Sequence, residues 1–227
     1  MSELGGRAQR EVERIGRHDP FWPAQLTVAA AIALSVDLPS NLTLSHSTWL
    51  IPAIEGALLL GLVVTTPWAP ARRHHQRRNV ALVLVALVTA SNLVNLGLLV
   101  HVLLHRQLNN GSALVVAGAE IWVTNVLLFT VFYWELDRGG PLRRAAETLK
   151  APDFLFPQMT EAALGGFDWC AGYIDYLYTS FTNATAFSPT DTMPLSPAAK
   201  LLMLVQSGAS LVTIGMVFAR AINILTG

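Results

Sequence analysis

The sequence predicts an all-α protein, a polytopic membrane helical bundle of about six transmembrane helices, and three observations predict it. Charged residues make up 13% of the 227-residue chain, about half of the roughly 25% usual in soluble domains. Apolar residues, 52% of the total, gather in blocks close to the ~20 residues that cross a hydrocarbon layer about 30 Å thick. The arginines gather in three short stretches between those blocks, where they set orientation.

The elements follow in chain order. Residues 1–20 mix Glu3, Glu11 and Glu13 with Arg7, Arg10, Arg14 and Arg17 and lack a signal peptide's apolar core, so they read as a retained, cytoplasmic amphipathic segment. A four-helix region over 21–135 contains spans from about Phe21 to Leu38, Trp49 to Trp68, Val80 to Leu104 and Ala113 to Trp134. Trp49 and Trp68 are placed roughly 28 Å apart along a helix, at the two headgroup levels. Residues 136–165 form a cytoplasmic or interfacial linker, and Gly139, Gly140 and Pro141 stop the fourth span. In 166–227 a weakly apolar span over about Gly166 to Phe187 precedes a clear one from Pro197 to about Leu225, which starts on the Ser196 and Pro197 capping pair. Gly208, Gly215 and Ala219 give that last helix a small-residue face suited to close contact with another helix.

Arg72, Arg73, Arg77 and Arg78 lie between the second and third spans, and Arg138, Arg143, Arg144 and Lys150 follow the fourth. With the N-terminal arginines they belong in the cytoplasm by the positive-inside rule. If Gly166 to Phe187 crosses, the count is six and both termini are cytoplasmic. The formal net charge of zero argues against a nucleic-acid partner, and the bilayer is the partner that composition demands. Cys170 is the only cysteine, so no intrachain disulfide forms, and inert packing is the expected role of its thiol. No nucleotide-binding glycine loop, HExxH, CxxC or GxSxG pattern is present, and neither enzymatic activity, a cofactor nor a bound metal is expected.

A charge at mid-bilayer costs about 2.5 to 3.5 kcal/mol on insertion scales, so each buried one needs a partner, a cavity or an interfacial position. Glu55, Glu120 and His101 fall in the outer halves of their spans and suit a cation site or proton relay if they converge, interhelical hydrogen bonding if they do not. Asp168 and Asp175 share a helix face with Thr179 and Thr182. An ion pair between Asp175 and Arg220 is the simplest way to satisfy both. Ser91, Asn92 and Asn95 form an amide patch in the third span, expected to bond between helices.

From Trp134 onward the stretches WELDRGGP, DFLFPQM, DYLYTSFTNATAFSPTDTMPLS and AKLLMLVQS resemble an uncharacterised family of bacterial inner-membrane proteins. The resemblance implies that location and no activity. Part of the third stretch is similar to the pore loop of potassium-type channels. Thr182, Asn183 and Thr185 stand on its pore helix, and Ser188, Pro189, Thr190 and Asp191 stand at its filter and exit. Both filter glycines are replaced, by Ser188 and Thr190, which removes the backbone freedom a ring of stacked carbonyls uses. The same four residues also read as a capped helical turn. Two functions are therefore expected in parallel: a small homo-oligomeric protein conducting or coupled to a monovalent cation or proton, and a non-conducting membrane scaffold or partner-binding subunit. A cysteine placed in residues 69–78 is expected to react with an impermeant reagent in inside-out vesicles and not in intact cells; labelling of intact cells would reverse the orientation.

Overall fold

The computed structural model describes residues 20–38, 53–57, 59–60, 74–105, 111–145, 151–161, 169–185 and 191–226. Helix α1 spans Trp22–Asp37, with proline in its first turn, where no intrahelical donor is lost. Helix α2 spans His74–His105 and α3 spans Gly111–Leu136. A 3₁₀ turn, Asp137–Gly139, leads to the short α4, Pro141–Ala145. Then come β1 (Phe154–Leu155), α5 (Pro157–Thr160), α6 (Tyr173–Thr185), β2 (Met193–Pro194) and α7 (Pro197–Thr226). Residues 53–57 and 59–60 are also helical.

Helix α3 is the centre and packs against α1, α2, α6 and α7. Three stretches among the described residues are long and apolar enough to cross a membrane: Arg77–Leu104, Ala113–Gly139 and Pro197–Arg220. Helix α1, at 16 residues, is shorter. The expected span from Trp49 to Trp68 lies mostly outside the described residues.

Two apolar clusters mark the two ends of the bundle. At one end Trp134, Tyr133, Phe154 and Tyr176 pack with Ala24, Val28, Ala81, Leu84 and Ala199. At the other, Leu38, Leu96, Leu99, Val102, Leu114 and Ile121 pack with Met216. The first is called the arginine end, because Arg77 stacks 3.7 Å from the Phe21 ring centroid there and Arg144 sits beside Trp134. Helix α7 starts at the arginine end, where the Ser196 hydroxyl accepts from the Ala199 N–H at 3.2 Å, the cap expected from the sequence. It runs antiparallel to α3 and finishes at the opposite end. A Cβ on Gly118 of α3 would come within 2.5 Å of a Val217 methyl of α7, so the two helices meet there at a distance only glycine permits.

Helix α6, within the weakly apolar segment expected over about Gly166 to Phe187, covers only part of the length of the bundle. Its first turn is tied to the arginine end: the Tyr173 hydroxyl donates to Thr27 at 2.6 Å, and its ring meets that of Trp134 edge-on at 5.8 Å. Deeper in, Ser180 donates to the Val126 carbonyl at 2.7 Å, and Trp122 donates to the Ala184 carbonyl at 3.4 Å. The partners on α3 thus retreat from residue 134 to residue 122 as α6 advances, a descent of roughly 20 Å. The chain then returns to the end it came from. Thr192 lies 3.2 Å from Thr179, β2 pairs antiparallel with β1, and the Leu195 N–H donates to the Asp153 carbonyl at 2.8 Å.

Helix α6 thus enters the bundle from the arginine end and stops short of the opposite one. Its 13 helical residues measure roughly 20 Å, too short for the hydrocarbon layer, and its hydroxyls and amide need protein partners rather than lipid. Among the described residues, α1 begins at the arginine end of the bundle and α7 runs to the opposite end. In a Cys170→Ser background, cysteines replacing Lys200 and Ile222 are expected to react with an impermeant reagent from opposite faces of the membrane. Reaction of both from the same face would refute a re-entrant α6.

Candidate functional site

Two buried polar networks hold α6 at this depth. The first forms where α3 ends. Arg138, Gly139 and Gly140 all have positive φ (53°, 87° and 100°), the left-handed bend that stops the helix and turns the chain. The bend leaves the Asp137 carboxylate fully buried, accepting from the Asp153 N–H at 2.7 Å, the Phe154 N–H at 3.3 Å and the Tyr176 hydroxyl at 2.6 Å. Asp153 answers by accepting the Arg138 N–H at 2.9 Å. Arg144, also buried, donates to the Trp134 and Asp137 carbonyls at 2.6 and 3.1 Å and lies 4.9 Å from the Tyr176 ring centroid. One carboxylate thus ties together the end of α3, the strand β1 and the first turns of α6.

The second network lies deeper, between α3, α6 and α7. Gln206 of α7 donates to the carbonyl and hydroxyl of Ser180 at 3.0 and 2.7 Å and accepts from Tyr133 and from Asn183, the latter at 2.7 Å. Asn183 also donates to the Met203 carbonyl at 3.1 Å and accepts from Ser207 at 3.0 Å. Below it, Asn125 donates to the Gln206 carbonyl at 3.2 Å and to Ser210 at 2.9 Å.

The last turn of α6 ends against α3 and α7, and side chains bond its final carbonyls. Thr185 donates to the Thr182 carbonyl at 2.9 Å, Ser207 to the Asn183 carbonyl at 3.3 Å, and Trp122 to that of Ala184.

The residues picked out in the sequence divide unevenly. Asn183, Thr182 and Thr185 belong to this inner end of α6, with Thr182 donating to the Tyr178 carbonyl at 2.8 Å. Thr179 is buried and bonds the Asp175 carbonyl at 2.8 Å and Thr192. Asp175 does not pair with Arg220. Its carboxylate accepts from the Gly172 N–H at 2.8 Å, reaching back from the third position of α6 to its start. Arg220 stands 23 residues into α7, roughly 35 Å along that helix from the end where Asp175 sits.

Asp191 is exposed, while Asp168, Ser188, Pro189 and Thr190 lie outside the described residues. Glu55 is buried with no hydrogen-bond partner on either oxygen, so it is bonded to neither His101, which is exposed, nor Glu120, which is half-buried. No three His, Cys, Asp or Glu side chains converge as a metal site among the described residues. Asn92 bonds across to the Ile121 carbonyl at 3.2 Å, the interhelical role expected of that patch. Cys170 is exposed rather than packed.

Singling out charges in the spans passes over Asp137, Arg144, Tyr133, Tyr176 and Gln206. Asp137, Tyr176 and Gln206 fall in the resembling stretches, whereas Tyr133 and Arg144 lie outside them; WELDRGGP and DFLFPQM meet in the Asp137 network, and residues of the other two meet in the Gln206 network. Comparison with protein-family models, curated proteins and solved structures finds no match to the chain.

Hydrogen bonds to a charged group contribute about 1.5 to 3 kcal/mol each. Tyr176→Phe is expected to lower the stability of the detergent-extracted protein by about that much, and Asp137→Ala by about 3 to 5 kcal/mol because several donors are stranded together. Asp175→Asn is expected to cost about 1 kcal/mol or less, in the range of helix capping effects, and Arg220→Gln to leave that cost unchanged. A double variant more stable than Asp175→Asn alone would restore the ion pair. Thermal unfolding of the four proteins decides both points.

Proposed function

We propose that the chain is a subunit of an ion-conducting or ion-coupled membrane protein of channel type, for a cation or proton, in which α3, α6 and α7 form a re-entrant pore module. The observation that supports this most is the end of α6 inside the bundle. A helix C-terminus carries about half a negative charge, and here it is directed into the bundle, with its last carbonyls bonded by Thr185, Ser207 and Trp122. That polarity suits a cation, as the broken helices of transporters and the carbonyl rings of channels illustrate. The replacement of both filter glycines argues for a path without potassium selectivity.

In a single copy the apolar outer faces of α6 and α7 are uncovered, including Tyr178, Phe181, Leu204, Leu211 and Phe218. Gly208 and Gly215 lie on the exposed side of α7 with open space where a Cβ would stand. A homo-oligomer that brings these faces together is the arrangement in which the inner ends of several α6 helices surround one path. The arginine-rich end is assigned to the cytoplasm of a bacterial inner membrane by the positive-inside rule, which places the end of α7 outside.

The rival is the non-conducting scaffold, favoured by the completeness with which Gln206, Asn183 and the α6 hydroxyls satisfy one another. Flux into liposomes carrying the purified protein separates the two. Cation or proton flux above that of empty liposomes is expected. Asp191→Asn, which removes an exposed charge beside the returning loop, is expected to lower flux several-fold at unchanged thermal stability. Wild-type liposomes no leakier than empty ones would favour the scaffold.

A further inference from the structure

Glu55 is the one acidic side chain among the described residues that is deeply buried yet has both carboxylate oxygens without a hydrogen-bond partner; it is 2% exposed. It stands four residues before Leu59, with 53–57 and 59–60 each helical, a spacing of about one helical turn. Leu59 lines a cavity of about 30 Å³ bounded by α1, α2 and α3, room for about one or two water molecules. The polar part of the cavity wall is Gln25, Arg77 and Glu135, all at the arginine end. The cationic groups there are otherwise engaged: Arg77 lies over the Phe21 ring, and Arg78 donates to the Glu135 carbonyl at 3.1 Å. Neither bonds Glu55, and neither do Glu135, His101 or Glu120.

An ionised carboxylate in that position would be a buried charge with no donor, which costs several kcal/mol even after relaxation. The neutral acid avoids that cost. A metal cation is a poor alternative, since it takes several oxygen ligands and no cluster of acidic or imidazole groups is present among the described residues. We propose that Glu55 is a proton-binding site, a carboxylic acid held protonated inside the bundle at neutral pH, with the cavity one turn away as its source of exchangeable water. This site is separate from the α6 module and stands or falls independently of conduction.

Infrared difference spectroscopy of the reconstituted protein against Glu55→Gln tests it without any flux measurement. At neutral pH the wild type is expected to show the C=O stretch of a protonated carboxylic acid, shifted to lower frequency in D₂O and absent from the variant. A spectrum with only the ionised carboxylate bands at that pH would overturn the proposal. If Glu55→Gln does not yield folded protein, the wild type alone suffices. Dicyclohexylcarbodiimide, which adds to protonated acids in apolar surroundings, is expected to modify the peptide containing Glu55. An unmodified Glu55 in a sample where another carboxyl has reacted counts against the site.

Discussion

The Asp137 carboxylate is the constraint on which the rest depends. It is fully buried, and three donors from two separate parts of the chain converge to hold it. A donor lost from such a site strands a charge rather than a neutral dipole, so the geometry around it is far stiffer than an apolar contact of the same area. Because one of those donors is Tyr176, the stiffness passes directly to α6. The aromatic rings around it act in the same sense: Phe154 and Phe156 meet the Tyr176 ring edge-on at centroid distances of 6.4 and 5.5 Å. The angle at which α6 enters the bundle is thus fixed at the arginine end by a network that does not reach its inner end.

The inner end needs its own anchoring, and a different chemistry supplies it. Gln206 and Asn183 are neutral amides, each able to donate and accept at once, and they satisfy backbone groups of α6 while remaining inexpensive to bury. Their measured worth in membranes is modest per bond, but they work together and leave few free partners for lipid-induced rearrangement. A charged anchor at this depth would have dominated the local field. Amides leave the field to the dipole of α6.

What the sequence revealed follows from which forces are local. Apolar blocks long enough to cross, the Ser196 cap, and the glycine pair that ends α3 are each set by neighbours within a few residues, and the structure has them in place. The same holds for the weakness of residues 166–187 as a span, since Asp175, Thr179, Thr182 and Asn183 announce a segment that lipid alone cannot solvate. Whether such a segment crosses or turns back depends on partners 50 or more residues away, such as Val126 for Ser180 and Tyr133 for Asn183. No periodicity encodes those. Pairing Asp175 with Arg220 erred for a related reason: it matched opposite charges by depth while assuming a direction of travel for α7 opposite to the observed one. Asp137 looked like an interfacial residue because it follows the last apolar turn, and only the folding of 153–154 over it makes it a buried one.

The shortness of α6 also bears on how the protein is made. A segment of 13 helical residues with a carboxylate and several hydroxyls has too little apolar length to partition into a bilayer by itself. It gains its depth only from α3, which emerges earlier from the ribosome, and from α7, which emerges last. Gln206, Ser207 and Met203, which bond α6, all belong to the last helix of the chain, so the polar network around α6 can close only after α7 has been made.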